Sequence, residues 1–97
     1  MGLVDRESVK ALFEGKDYTN KNTKVRGDTL YLYNNPIMQI RNDGLYITIG
    51  GWNTPTTKRR LNSLPKVSVY NKRKMLHLNG APWDGSWIRV DTDLLWF

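Results

Sequence analysis

Residues 28–49 carry the strongest fold signal in the chain, and their sequence is DTLYLYNNPIMQIRNDGLYITI. In the first part of this stretch two leucines, Leu30 and Leu32, alternate with tyrosines, and a period of two is typical of a strand with one buried face. Two more strands are predicted over residues 37–41 and 45–49, each after a cluster of turn-forming residues. Three strands joined by such short turns form an antiparallel meander.

After the meander the sequence predicts a helix and then a second group of strands. Thr54 is a suitable N-cap and Pro55 fits the first helical position, so we expect an amphipathic, basic helix from Pro55 to about Leu64. Alternation returns as two strands within residues 67–78, and residues 87–90 offer one more strand. The second unit is therefore also expected to be three-stranded and antiparallel.

Before the meander a short helix is predicted at about residues 6–14. Asp5 can cap it, and Gly15 can end it. Residues 16–22 are polar and are predicted to form a loop, with a strand resuming at Thr23.

The chain has 97 residues, which is the size of one domain. We interpret residues 1–97 as a single α+β domain. Its parts are an N-terminal helix and loop over residues 1–22, an α+β core over residues 23–90 and a hydrophobic tail over residues 91–97.

The composition argues against an enzyme. There is no cysteine, so disulfides and cysteine nucleophiles are excluded, and the single histidine, His77, lies in an alternating strand pattern. The acids are dispersed, and no phosphate-binding loop occurs. The sequence therefore predicts no catalytic residues, no metal site and no cofactor. No apolar run is long enough to cross a membrane, and the N-terminus lacks the features of a signal peptide.

Positive charge is concentrated in one part of the chain. The sequence has 15 Lys and Arg against nine Asp and Glu, a formal charge of +6. From Gly44 to Trp83 there are seven basic residues and no acid, so this stretch carries the whole excess. A surface of one sign is best neutralised by an anionic partner, with a phosphate backbone as the leading one. A basic surface that only keeps the protein soluble is the alternative.

The residues expected to contact such a partner lie on the predicted helix and hairpin. Lys58 and Arg59 fall in the first turns of the predicted helix, where the helix dipole disfavours cations, so a bound anion would offset that cost. A solvated polar helix face is the alternative interpretation. The predicted contacts are Lys58, Arg59, Arg60, Asn62, Lys66, Lys72, Arg73 and Lys74.

Aromatic side chains are predicted on the outward face of the strands. Nucleic-acid bases stack on such rings, so an aromatic and basic sheet face suits a single strand. Tyrosine is also an ordinary residue of half-exposed strands, and a face covered by the tail is a further alternative. The residues expected there are Tyr31, Tyr33, Tyr46, Tyr70, His77, Trp87 and Arg89, and Trp83 is a further stacking candidate beside the Asp-Gly turn.

Residues 51–65, with the sequence GWNTPTTKRRLNSLP, resemble small, functionally uncharacterised proteins of tailed bacteriophages. The resemblance extends to GDTLYL at residues 27–32 and to the Trp-Asp-Gly-Ser-Trp run at residues 83–87, and it covers about residues 25–90. Lys66 departs from the glycine expected after the Leu-Pro pair. The resemblance implies a phage gene product that acts inside a bacterium.

Together these features predict a non-enzymatic nucleic-acid-binding protein of the host cytoplasm. Lysines dominate the hairpin tip, so we expect a phosphate clamp with weak sequence preference rather than a groove-reading helix. DNA and RNA, and monomer and dimer, all stay open. The alternative is an inhibitor of a host protein, such as a polymerase or a defence complex like a CRISPR effector, with an aromatic interface core and a basic rim.

Overall fold

A computed structural model describes residues 3–51, 54–64 and 66–90, with side chains from residue 6 onwards. Its elements confirm the α+β class. In chain order they are α1 (Leu3–Glu14), β1 (Tyr18–Asn20), β2 (Thr23–Arg26), β3 (Thr29–Leu32), β4 (Asn35–Arg41), β5 (Gly44–Ile47), α2 (Pro55–Leu61), β6 (Val69–Lys72), β7 (Met75–Leu78), β8 (Ala81–Pro82) and β9 (Ile88–Val90). Neither helix is long and apolar enough to cross a membrane.

Helix α1 begins earlier than the sequence pattern suggested. It already includes Asp5, so the prediction that this residue caps the helix is wrong. The end is as predicted: Gly15 has a φ of +71°, and the N–H of Lys16 donates to the carbonyl of Ala11 at 2.9 Å. This is the left-handed helix ending that glycine favours.

Six strands form one antiparallel sheet in the order β1-β2-β3-β4-β5-β9. Strand β1 lies in the segment predicted as a loop. Its polar sequence has no strand pattern, and the strand is formed by its hydrogen bonds to β2. Strand β9 was expected in the second unit, but it pairs with β5, with Leu45 opposite Val90. The meander is thus longer at both ends than predicted.

The first hairpin of the predicted meander turns one residue earlier than expected. Tyr33 and Asn34 have φ values of 51° and 67°, which makes them the centre of a tight two-residue turn. Strand β4 consequently starts at Asn35 rather than at Ile37. The third strand of the predicted meander, β5, ends at Ile47 rather than at residue 49.

The second unit is a three-stranded antiparallel sheet, β6-β7-β8. The prediction of three strands is correct, but β8 takes the place expected for residues 87–90. Asn79 and Gly80 form the turn before β8, with φ values of 51° and 90°. Helix α2 ends at Leu61, and Leu64 then closes a tight turn by donating from its N–H to the carbonyl of Leu61.

The core lies on one face of the large sheet. Val25, Leu30 and Met38 on this face are fully buried together with Leu12 of α1 and Leu61 of α2. Both helices therefore pack on the same face, and their polar sides point away from the sheet. Leu30 and Leu32, which the alternation placed on the buried face, are buried, whereas Ile88 is 38% exposed, because β9 is an edge strand.

The opposite face of the large sheet carries polar and aromatic side chains. One row across the strands runs through register partners in β2, β3, β4, β5 and β9. The members of this row are Arg26, Thr29, Gln39, Tyr46 and Arg89. We call this surface the open sheet face.

Candidate nucleic-acid interface

Helix α2 is capped as predicted, and its short length changes the electrostatic argument. The Thr54 hydroxyl accepts a hydrogen bond from the N–H of Thr57 at 3.2 Å, and Pro55 follows the cap. With only seven residues, the helix holds Lys58 and Arg59 in its last turn. The dipole favours cations there, so the argument that a bound anion must offset an unfavourable position is wrong.

Arg60 is not a surface contact, in contrast to the prediction. Its side chain is 4% exposed and donates from Nη2 to the hydroxyl of Thr23 at 2.8 Å. In a helix, residue 60 shares a face with Thr57 and Leu61, and both of these are buried. The helical period therefore explains why this arginine enters the core.

Asn62 is exposed at the end of α2, but its amide is already engaged. Nδ2 donates to the carbonyl of Val69 at 2.9 Å, and Oδ1 accepts from the N–H of Val69 at 2.6 Å. The side chain thus acts as a short strand partner for β6. In this geometry the amide is not available to read adenine, because that needs both ends of the amide.

A groove lies between α2 and β6. It has a volume of about 490 Å³ and is lined by Lys58, Arg59 and Tyr70, with the Asn62 to Val69 pair at its base. Tyr70 stacks on His77 of β7, with ring centroids 5.4 Å apart and planes 9° from parallel. Two cationic side chains and one tyrosine, itself stacked on a histidine, thus line one groove.

The strand that forms one groove wall continues into the basic hairpin tip. Tyr70 and Lys72 lie two residues apart on β6 and share a face of the small sheet. Beyond them Arg73 and Lys74 form the turn, with φ values of 52° and 65°. All three basic side chains are exposed. Left-handed backbone at two consecutive non-glycine residues is unfavourable, so this turn is held by the pairing of its strands. We call α2, β6 and this turn the helix–hairpin side.

Lys66 has a left-handed backbone conformation, which explains why a glycine was expected at this position. Its φ is 62°, the left-handed region in which glycine carries no steric cost. The exposed lysine is held there because Nδ2 of Asn79 donates to its carbonyl at 3.1 Å. This contact therefore stabilises the turn at residue 66 although a lysine replaces the expected glycine.

The predicted aromatic face is divided between two sheets, so it is not one surface. Tyr31 and Tyr46 lie on the open sheet face, and Tyr33 is 57% exposed at the adjoining turn. Tyr70 and His77 belong to the small sheet instead. The last two candidates, Trp83 and Trp87, line a separate groove beside β9, with Trp83 half-buried and donating from Nε1 to the carbonyl of Ser86 at 3.1 Å.

The sequence reasoning overlooked three basic residues of the open sheet face. These are Lys24, Arg26 and Arg41, which share that face with the predicted Arg89. The Arg41 guanidinium lies 4.2 Å from the ring centre of Tyr46 and 5.1 Å from that of Trp87. Period-two alternation within β2 and β4 was the signal that could have found them.

Among the described residues two titratable groups have shifted pKa values, and both lie outside the helix–hairpin side. A hydrogen bond from the Tyr46 hydroxyl to Asp43 at 2.7 Å, assisted by partial burial, raises the pKa of Tyr46. Hydrogen bonds from the side chain and backbone of Ser86 lower the pKa of Asp84. In the described part of the chain no three His, Asp or Glu side chains cluster closely enough to hold a metal ion.

The fold and these surfaces define a small α+β protein with a basic helix–hairpin side and an open antiparallel sheet face. The family model of the Kyanoviridae Gp96 protein matches residues 1–87. The chain therefore belongs to this family of tailed cyanophages, which confirms the resemblance seen in the sequence and extends it to the N-terminal helix. No curated protein and no solved structure matches the chain.

Proposed function

We propose that this protein binds nucleic acid without catalysing a reaction, and that it does so in the host cytoplasm. The observation that carries the proposal is the groove between α2 and β6, which is lined by Lys58, Arg59 and Tyr70, the last of which stacks on His77. A polyanion needs several positive charges along its path, and its bases gain from an aromatic surface. This groove provides positive charges and an aromatic surface close together.

The hairpin tip extends the positive surface beyond the groove. Lys72 follows Tyr70 on the same face of β6, and Arg73 and Lys74 come next in the turn. These residues belong to the stretch from Gly44 to Trp83 that contains no acid, so no carboxylate of that stretch weakens the local field. A phosphate backbone can therefore follow a path from α2 along β6 to the turn.

The geometry favours phosphate binding over base reading. Of the residues of α2 and its C-cap that could recognise a base, Arg60 is buried against Thr23 and Asn62 is bonded to Val69, so only Arg59 keeps an exposed guanidinium group. Lysine is a point charge without the planar fork that recognises guanine. We therefore expect weak sequence preference and strong dependence on salt.

Fluorescence-anisotropy titrations with labelled single-stranded and double-stranded oligonucleotides test this function. Each should be measured at two salt concentrations and with two unrelated sequences. We expect binding at low salt that weakens steeply at higher salt and differs little between sequences. Failure to bind either form of nucleic acid at low salt would contradict the proposal.

A further inference from the structure

A second site lies on the open sheet face, where two arginines meet beside Gly44. Arg41 on β4 is the register partner of Gly44, and Arg89 reaches the same position from β9 on the other side of β5. A Cβ atom at residue 44 would lie 2.7 Å from Nε of Arg89. Glycine thus leaves the space that the Arg89 side chain occupies, beside the strand position of Arg41.

Both arginines are held in place through Nε. Nε of Arg41 donates to Oε1 of Gln39 at 2.8 Å, and its guanidinium packs over the rings of Tyr46 and Trp87. Nε of Arg89 donates to the carbonyl of Asp43 at 2.6 Å. Across residues 3–51, 54–64 and 66–90, the terminal nitrogens of both side chains make no hydrogen bond. Two fixed guanidinium groups with available terminal donors match the planar geometry of an oxyanion.

The net charge of this site suits one carboxylate better than a polyanion. The carboxylate of Asp43 lies within the site and accepts a hydrogen bond from Tyr46. Arg41, Arg89 and Asp43 together carry a net charge of +1, and the adjoining groove adds one further carboxylate, that of Asp84, to its lining. Arg41 and Arg89 also act on the hydroxyl of Tyr46, since both lower its pKa against the larger effect of Asp43. The two arginines and the aspartate therefore form one electrostatic unit.

An apolar groove adjoins the arginine pair through Trp87. The groove has a volume of about 600 Å³, and its lining includes Met75, Trp83, Trp87 and Ile88. Met75, Trp87 and Ile88 are 54%, 37% and 38% exposed, and they are three of the four large hydrophobic side chains that are exposed in the described ranges. Arginine, aromatic residues and methionine are enriched at protein interfaces, and lysine is depleted there. This groove and the arginine pair contain no lysine.

We propose that this surface binds a segment of a partner protein in which a bulky apolar side chain lies next to an Asp or Glu. The apolar side chain enters the groove beside Trp87, and the carboxylate pairs with Arg41 and Arg89. The arginine pair lies on the open sheet face, whereas α2 packs on the opposite face of the large sheet; the apolar groove reaches Met75 of β7, next to the hairpin turn.

The test uses the isotopically labelled protein and two short peptides that carry fluorescein. One peptide alternates Leu with Glu, and the other is identical except that Gln replaces Glu. We expect the Glu peptide to shift the NMR signals of the Trp87 indole N–H and of the Arg41 and Arg89 Nε–H groups. We expect the Gln peptide to bind at least about tenfold more weakly, which corresponds to the loss of one charged pairing of about 1.4 kcal/mol.

Variants then distinguish the contribution of Arg41 and Arg89 to peptide binding from that of the rest of the open sheet face. Arg41→Gln and Arg89→Gln should each weaken binding of the Glu peptide by about tenfold. Arg26→Gln is the matched control, because Arg26 lies in the same row of the same face and instead bonds to Tyr18 and Thr19. Equal binding of the two peptides, no shift with either peptide, or equal weakening by Arg26→Gln would overturn the proposal. A thymidine oligonucleotide that moves the same three signals would assign this site to nucleic acid instead and overturn it too.

Discussion

The side-chain amide of Asn62 and the backbone of Val69 are joined by two hydrogen bonds, of 2.9 and 2.6 Å. This contact ties the end of α2 to the first strand of the small sheet. It also fixes the distance between Lys58 and Arg59 on the helix and Tyr70 on the strand, which together line the groove. The groove is therefore formed in the free protein, and a bound strand would not have to order it.

Replacing Asn62 should destabilise the fold. Asn62→Ala removes both hydrogen bonds and leaves the N–H and carbonyl of Val69 without them, so we expect the free energy of unfolding to fall by about 1–3 kcal/mol. Asn42→Ala, at an exposed asparagine in the turn between β4 and β5, should change it by less than about 0.5 kcal/mol. Urea denaturation measures both. Equal stability of the two variants would show that the amide does not hold α2 to the small sheet.

Two adjacent arginines of α2 should have opposite phenotypes. Arg60→Ala removes a buried side chain that packs in the core and bonds to Thr23, so the free energy of unfolding should fall by about 1–3 kcal/mol. Arg59→Ala, at an exposed position on the groove, should change stability by less than about 0.5 kcal/mol and weaken oligonucleotide binding. Urea denaturation and anisotropy titration of both variants give the comparison. If Arg60→Ala kept full stability and lost binding, Arg60 would be a contact residue after all.

Local signals predicted the elements well wherever the sequence itself forms them. Thr54 and Pro55 start α2 as expected, and Leu30 and Leu32 point into the core. Gly15 ends α1 by adopting a left-handed backbone, and this does not require a contact with a distant part of the chain. These features depend on neighbouring residues, so a sequence is enough to find them.

Features that depend on distant partners were not predicted. Strand β1 forms only by pairing with β2. Strand β9 pairs with β5 rather than with β7, which is nearer in sequence, and no short stretch of sequence indicates this pairing. The arginine pair was missed for the same reason, because Arg41 and Arg89 come together only when β4, β5 and β9 align. The burial of Arg60 is different: its spacing of three from Thr57 already placed it on the buried face.

Gly85 should tolerate no side chain. Its φ is +86°, and a Cβ atom there would lie 2.5 Å from Cγ2 of Ile49, in the core. Gly85→Ala combines overpacking with strained backbone, so we expect a loss of about 2–4 kcal/mol in unfolding free energy. Gly80→Ala is the control, because its φ of +90° is similar but nothing lies within 4 Å of the added atom. Gly80→Ala should lose only the unfolding free energy that comes from the strained backbone, about 1 kcal/mol. Thermal unfolding of both variants is the measurement, and equal losses would exclude a packing role for Gly85.

The pKa of Tyr46 should report on the arginine cluster. Asp43→Asn removes the charged acceptor of the tyrosine hydroxyl, so the pKa of Tyr46 should fall towards its ordinary value. Arg89→Gln removes a positive charge and should raise that pKa further. The raised pKa means that folding disfavours the ionised phenol. Its contribution to stability is therefore complete below the ordinary pKa of tyrosine and is lost as the pH rises through the folded value. NMR titration of the Tyr46 ring follows each shift, and an unchanged pKa in Asp43→Asn would contradict the assigned hydrogen bond.

Removal of charge at the hairpin tip should weaken binding of all oligonucleotides alike. A variant with Lys72, Arg73 and Lys74 all neutralised should bind unrelated sequences less tightly by about the same factor. The slope of log K against log salt should flatten by up to about 3, roughly one for each phosphate that the variant no longer neutralises. Anisotropy titrations over a range of salt concentrations give the slope. Loss of binding for one sequence only would make the protein a specific reader.

The most direct test of the phosphate-binding account compares Lys74→Gly with Lys21→Gly by the salt dependence of oligonucleotide binding. Both lysines are exposed, both occupy left-handed turn positions, with φ values of 65° and 53°, and both variants lose one charge and gain the same relief of backbone strain. Only their positions differ, because Lys21 lies in the turn between β1 and β2 of the large sheet, whereas Lys74 lies in the basic hairpin turn of the small sheet. We predict that Lys74→Gly lowers the steepness of the salt slope by about 0.7–0.9, the contribution of one neutralised phosphate, while Lys21→Gly leaves it unchanged. Equal slopes for the two variants would contradict the account.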